Sequence, residues 1–155
     1  NGSHAVVDLS AAYSDDAQPG TGPSSRVLRG IAVFGRDAVL LQDEITGHRG
    51  KELQWQIHTE AKVRLRSNTA TLTQGNRQIT AEILSPPDLT FETQFANPPP
   101  PQRQNEGVTK LVIRTKLPDQ PFRLAVVFWC NPTAKRAPVS LRPLQEWEGQ
   151  VTPRK

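Results

Sequence analysis

Apolar residues recur at every second position along this chain, in short runs separated by polar breaks. The stretch "ELQWQIH" (52–58) is the clearest case. Leu53, Trp55 and Ile57 point one way, and Glu52, Gln54, Gln56 and His58 point the other. A period of two is the signature of a strand with one buried face. Similar runs span 4–13, 26–35, 38–45, 61–66, 69–73, 77–84, 89–95 and 109–117. In 38–45, Val39, Leu41, Asp43 and Ile45 share one face, and Leu40, Gln42 and Glu44 the other. Ile79, Ala81 and Ile83 form an apolar face, as do Leu89, Phe91 and Thr93. The run 122–130, "FRLAVVFWC", is apolar on both faces, which predicts a central strand. Short strands at this spacing, with turn signals between them, predict an all-β fold. The expected form is an antiparallel β-sandwich, supersandwich-like, of about ten short strands.

The breaks predict connections. A tight turn near Arg36–Asp37 joins 26–35 to 38–45. The segment "TGHRGK" (46–51) is a turn with two glycines, which makes 38–45 and 52–58 the arms of one β-hairpin. Residues 14–25 are a polar, Gly/Pro-rich loop. Four consecutive prolines in "ANPPPPQRQNEG" (96–107) remove four backbone donors, so this segment reads as a rigid surface crossing between sheets. Residues 131–155 form a proline-punctuated tail, with Leu141, Leu144 and Trp147 stapling it onto the sandwich.

Composition narrows this picture. At 155 residues the chain fits a single domain, 1–155, and its hydrophobic fraction of 35% suffices for a β-type core. The chain begins abruptly before its first strand-like run and reads as a piece of a longer protein. No apolar run approaches the ~18 residues of a membrane helix, and no membrane partner is expected. The net charge of +4 is scattered, with 19 Lys and Arg against 15 Asp and Glu. That attracts polyanions mildly but does not mark a nucleic-acid binder. Lys62, Arg64 and Arg66 alternate with Val63 and Leu65, as on the solvent face of a strand or on a face for an anionic ligand. Cys130 is the only cysteine, so no disulfide within the chain or CxxC pair exists. It reads as a buried small hydrophobe after an apolar strand.

Candidate chemistry is sparse. No GxSxG elbow, P-loop or dinucleotide fingerprint is present. A metal site needs several ligands facing one point, yet the three histidines, His4, His48 and His58, are dispersed and lack HExxH spacing. His48 falls on a glycine turn and reads as solvated. His58 lies on a polar strand face and is the one catalytic candidate. Asp43 faces inward, where an arginine such as Arg29 would satisfy it. Trp55, Arg64 and Arg66 are the candidates for gripping a glycan, with core packing the competing role for Trp55.

In order along the chain, "HAVVDLSAAY", "RVLRGIAVF-GRDAVLLQDEI", "ELQWQIHTEAKVRL" and "FANPPPPQRQNEGVTKLVIRT" resemble the C-terminal β-domain of heparinase II/III-like proteins. The shared pattern is a "vvDLt-aY" strand, an Arg-led strand, "vlvqDE", a Trp strand and a Pro-rich "NeGv-kL" segment, covering most of residues 4–130. The resemblance implies a parent polysaccharide lyase, periplasmic or secreted, that cleaves uronic-acid-containing glycans by β-elimination. It implies two partners, an acidic polysaccharide and an upstream α/α-toroid that carries most of the catalytic residues. It also implies that this module is structural and forms one wall of the cleft; the alternative is a stand-alone carbohydrate-binding module. In some relatives a zinc is held by two upstream ligands plus a histidine in a "HNtvvvD" strand. His4 in "HAVVD" falls near that position, but its spacing to the Asp is four residues rather than six. Tyr13 matches the Tyr that ends the first strand in the pattern, not a catalytic one.

Overall fold

The computed structural model describes residues 3–13, 25–131, 136 and 138–147. Among them are ten strands: β1 Ser3–Asp8, β2 Arg26–Phe34, β3 Ala38–Thr46, β4 Glu52–Thr59, β5 Lys62–Arg66, β6 Thr69–Gln74, β7 Arg77–Ser85, β8 Glu92–Phe95, β9 Thr109–Lys116 and β10 Phe122–Trp129. Among the described residues there is no α-helix, only 3-10 turns at Ser10–Ala12 and Leu144–Glu146. All pairings are antiparallel. One sheet has seven strands in the order β1-β2-β3-β10-β7-β6-β5, and the other has three in the order β4-β9-β8. This is the expected antiparallel sandwich, with layers of unequal width.

Alternation along each strand fills two cores. Between the sheets lie Val27, Ile45, Trp55, Ala81, Ile83, Phe91, Leu111, Ile113, Leu124 and Val126. On the outer face of the seven-stranded sheet, Leu28, Leu40, Ala125, Val127 and Trp129 are covered by Leu144 and Trp147 of the tail. β10 serves both cores and pairs with β3 and β7, the central position that its doubly apolar sequence predicts.

The tail is clamped where Gly30 leaves room. A Cβ there would run into Leu144 Cδ2 and the Trp147 ring. Gln42, fully buried, donates from Nε2 to the Arg142 carbonyl at 2.8 Å and to Glu44 Oε1 at 3.0 Å. Glu44 in turn accepts from the Leu144 N–H and from Arg123. Leu141 is half-buried against the same cluster, so the expected staple of Leu141, Leu144 and Trp147 is present. Residues 132–135, 137 and 148–155 of the tail, and most of the 14–25 loop, lie outside the described residues.

Four expectations need correcting. β3 and β4 are not a hairpin: β3 pairs with β2 and β10, whereas β4 pairs with β9 in the other layer. Residues 47–51 form an arch between sheets, anchored by the Gly50 N–H on the Leu117 carbonyl and by the Leu117 N–H on the Lys51 carbonyl, both at 2.9 Å. The proline-rich segment does not cross between sheets. It joins β8 to β9, neighbours in one sheet, and folds on itself through Asn105, whose N–H donates to Asn97 Oδ1 and whose Nδ2 donates to the Ala96 carbonyl. The run 89–95 is a strand only over Glu92–Phe95; Phe91 is buried ahead of it, and Thr93 is exposed. Cys130 is exposed, because β10 ends at Trp129 and the chain leaves the sheet there.

Candidate functional site

A cavity of about 280 Å³ opens where the arch carries the chain from one sheet to the other. β2 contributes Arg29, β3 Asp43, and the arch His48 and Lys51. β4 contributes Trp55, and Tyr13 follows the first 3-10 turn. Strand parity explains the convergence. Arg29 and Asp43 are cross-strand partners on the inner face of the larger sheet, and Trp55 is on the inner face of the smaller one.

Arg29 grips Asp43 in a fork. Nε donates to Oδ1 and the terminal nitrogen NH2 donates to Oδ2, both at 2.7 Å. The Asp43 side chain is 5% exposed, and that of Arg29 39%. A carboxylate this deep is tolerated because both its oxygens accept charge-assisted bonds. The Asp43 hydrogen bonds raise the pKa of Arg29 above its ordinary value. Burial opposes this, while the Asp43 charge and nearby Tyr13 reinforce it. The guanidinium therefore stays charged at any pH the protein will meet.

The other cationic and anionic side chains lining the cavity, Lys51 and Glu52, balance in charge. Open hydrogen-bonding capacity lies elsewhere. Tyr13 is 58% exposed, and His48 Nε2 is shielded from solvent with no hydrogen-bond partner among the described residues. His48 is thus half-buried, not the solvated turn residue its flanking glycines suggest, because the arch folds it against β4. The cavity can exchange hydrogen bonds with a small polar group.

The candidates read from sequence do not come together here. His58 is exposed on the outer face of β4, opposite Lys110. Trp55 is 4% exposed, which removes it as a stacking platform on the surface; its parity with Leu53 and Ile57 turns it into the core. Arg64 and Arg66 are exposed on β5, at the opposite edge of the larger sheet and on its outer face. β5 lies five strands from β2, about 24 Å at the usual strand spacing. His4 packs edge-on against Trp147, with ring centroids 6.0 Å apart. Its Nε2 is shielded and without a partner, but no group of three or more His, Cys, Asp or Glu among the described residues could hold a metal. The cavity residues that sequence reasoning missed are Tyr13 and His48. The inward faces of Asp43 and Trp55, and Arg29 as the partner of Asp43, are the cavity features legible in the sequence.

No family model matches this chain, and no curated protein matches it. Solved structures do. The heparan sulfate lyase HepC from Pedobacter heparinus superposes with a TM-score of 0.54 and 10% identity over 71% of this chain. A structure of heparinase III gives a TM-score of 0.57 and 13% identity over 82%. A second heparinase III gene product gives 0.56 and 11% over 72%. This chain spans only 18–19% of the length of those chains. The resemblance read from the ordered motifs thus extends to three dimensions: the chain has the β-sandwich fold of one part of the heparinase III structures.

Proposed function

We propose that this chain is the β-sandwich module of a heparinase II/III-like polysaccharide lyase and serves as a structural wall of the glycan cleft. The parent would cleave uronic-acid-containing glycans by β-elimination in the periplasm or outside the cell. The observation that carries this reading is the fold match, which takes in most of this chain and a small part of each lyase. Elimination beside a uronate needs the carboxylate neutralised, a base at C5 and an acid for the leaving oxygen. The cavity offers a guanidinium already committed to Asp43, and His58 stands alone on an exposed face.

The test is to incubate the 155-residue chain and its parent separately with heparan sulfate and with alginate, following the ultraviolet absorbance of the unsaturated uronate. The parent should generate the chromophore on at least one uronan, and the isolated chain on none. Elimination by the isolated chain that disappears in His58→Ala would overturn the structural role.

One observation favours a second reading, a module that itself binds acidic polysaccharide. Lys62, Arg64 and Arg66 are exposed in a row along β5, none paired with a carboxylate among the described residues, beside Thr69, Thr71 and Thr73 of β6. On this reading the chain binds immobilised heparin, and Arg64→Ser with Arg66→Ser lowers the salt needed for elution. Elution unchanged by the double substitution would exclude it.

A further inference from the structure

The larger sheet overhangs the smaller one. β4 is an edge of the three-stranded layer, and it shares the cavity with residues of β2 and β3. Beyond β4 on that side, no strand among the described residues lies over the inner faces of β2 and β1. Ala5 pairs with Ile31, and Ile31 with Leu41; Val33 pairs with Val39. Val7, Ile31 and Val33 remain 49%, 43% and 39% exposed, an apolar ledge in a position where a sandwich normally buries its side chains.

The strand bordering this ledge has an open edge. The Leu117 N–H bonds the Lys51 carbonyl, and the register of β4 with β9 continues without interruption. Antiparallel alternation then directs the backbone groups of Leu53, Trp55 and Ile57 toward β9. Those of Gln54, Gln56 and His58 face away from it, over the ledge. The described residues form four sheet edges, and they are guarded unequally. β5 carries Lys62, Arg64 and Arg66, charges that discourage pairing, and β8 has only four residues. β1 is an edge of the lower layer with no ledge beneath it. Between Glu52 and His58, β4 presents only the neutral Gln54 and Gln56, and it runs for eight residues.

We infer that β4 and the ledge together receive one further β-strand, supplied by the parent polypeptide outside these 155 residues. The strand would be extended and apolar at alternate positions. It would pair with Gln54, Gln56 and His58 and lay its apolar side chains on Val7, Ile31 and Val33. This rests on the module reading above, since the matched lyase chains extend far beyond the region this chain matches. A second copy does not fit the same place. Antiparallel pairing of two β4 edges would set those strands about 4.8 Å apart, and the overhanging β1 and β2 of both copies would then compete for the same space in the larger-sheet layer.

The experiment is hydrogen exchange on the 155-residue chain, alone and with a capped peptide of alternating threonine and valine with lysine at both ends, matched in length to the eight residues of β4. Alone, the amides of Gln54, Gln56 and His58 should exchange fast, and those of Trp55 and Ile57 slowly. The peptide should protect the first three and leave the β5 edge unchanged. Two variants should each weaken peptide binding about tenfold or more: Gln56→Pro, which removes an outward donor, and the double change Ile31→Lys with Val33→Lys at exposed positions. Native tryptophan emission would show that each variant is folded. The inference fails if saturating peptide gives no protection. It also fails if β5 is protected equally, if the three amides are already slow in the chain alone, or if protection accompanies dimerisation in sedimentation. Loss of uronan cleavage by the parent would remove the lyase reading and leave this exchange result standing, so the two failures are distinguishable.

Discussion

The Arg29–Asp43 pair shows how much one inward carboxylate determines. A strand face carrying Val39, Leu41 and Ile45 would exclude an unpaired Asp, so its presence on that face required a partner. The cross-strand register supplies Arg29 at the right position. That much was legible in the sequence, because it follows from parity and the cost of a buried charge. The position of His48 was not: flanking glycines identify a loop but do not say which way it folds. Asp43→Asn keeps the shape and removes the charge. Because Arg29 is more than a third exposed, water recovers part of the loss, and the expected destabilisation is about 1–2 kcal/mol. Urea unfolding of the two proteins would measure it. A D43N protein as stable as the unmodified chain would show that the fork organises the cavity without stabilising the fold. Trp55→Ala, by contrast, empties a site in the main core and should cost about 3–5 kcal/mol in the same measurement.

At the scale of elements, alternation located the strands of the described residues, β8 with too early a start, but not every partner. Period two says which residues share a face and is silent on which neighbouring strand completes the ladder. The arch at 47–51 illustrates this. Five residues can close a hairpin or carry the chain across to the facing sheet, and both solutions bury Ile45 and Trp55. The proline-rich segment misled for a related reason: it cannot join a ladder, but it can still connect two strands that do. The tail was readable because three large apolar residues in a proline-rich stretch have to be covered by something. Its contact point depends on a single missing Cβ. Gly30→Ala should push Leu144 and Trp147 off the outer face while leaving the β2 ladder intact, at a cost of about 1–3 kcal/mol. Limited proteolysis would then cut within 138–147 far faster than in the unmodified chain. Equal cleavage rates would mean that the tail can shift to accommodate a methyl group.

At the scale of the whole molecule, the two cores differ in what they tie together. The inter-sheet core joins strands from both layers through ladders and close packing. The outer core depends on a single segment without ladder hydrogen bonds, fixed by Gln42, Glu44 and the side chains of Leu144 and Trp147. Regions with few contacts and few backbone bonds open at lower free energy than the global unfolding. The tail should therefore be released before the sandwich unfolds. The three tryptophans report this separately, since Trp55 lies between the sheets, Trp129 on the outer face and Trp147 on the tail. With Trp129 replaced by Phe in both, a chain retaining only Trp147 should lose its buried emission at lower urea than one retaining only Trp55. The first transition should have the smaller slope, because it exposes less surface. Coincident transitions with one slope would instead mean that tail and sandwich are a single cooperative unit. Truncating the chain after Asn131 should then prevent folding, rather than merely uncover Leu28, Leu40 and Val127.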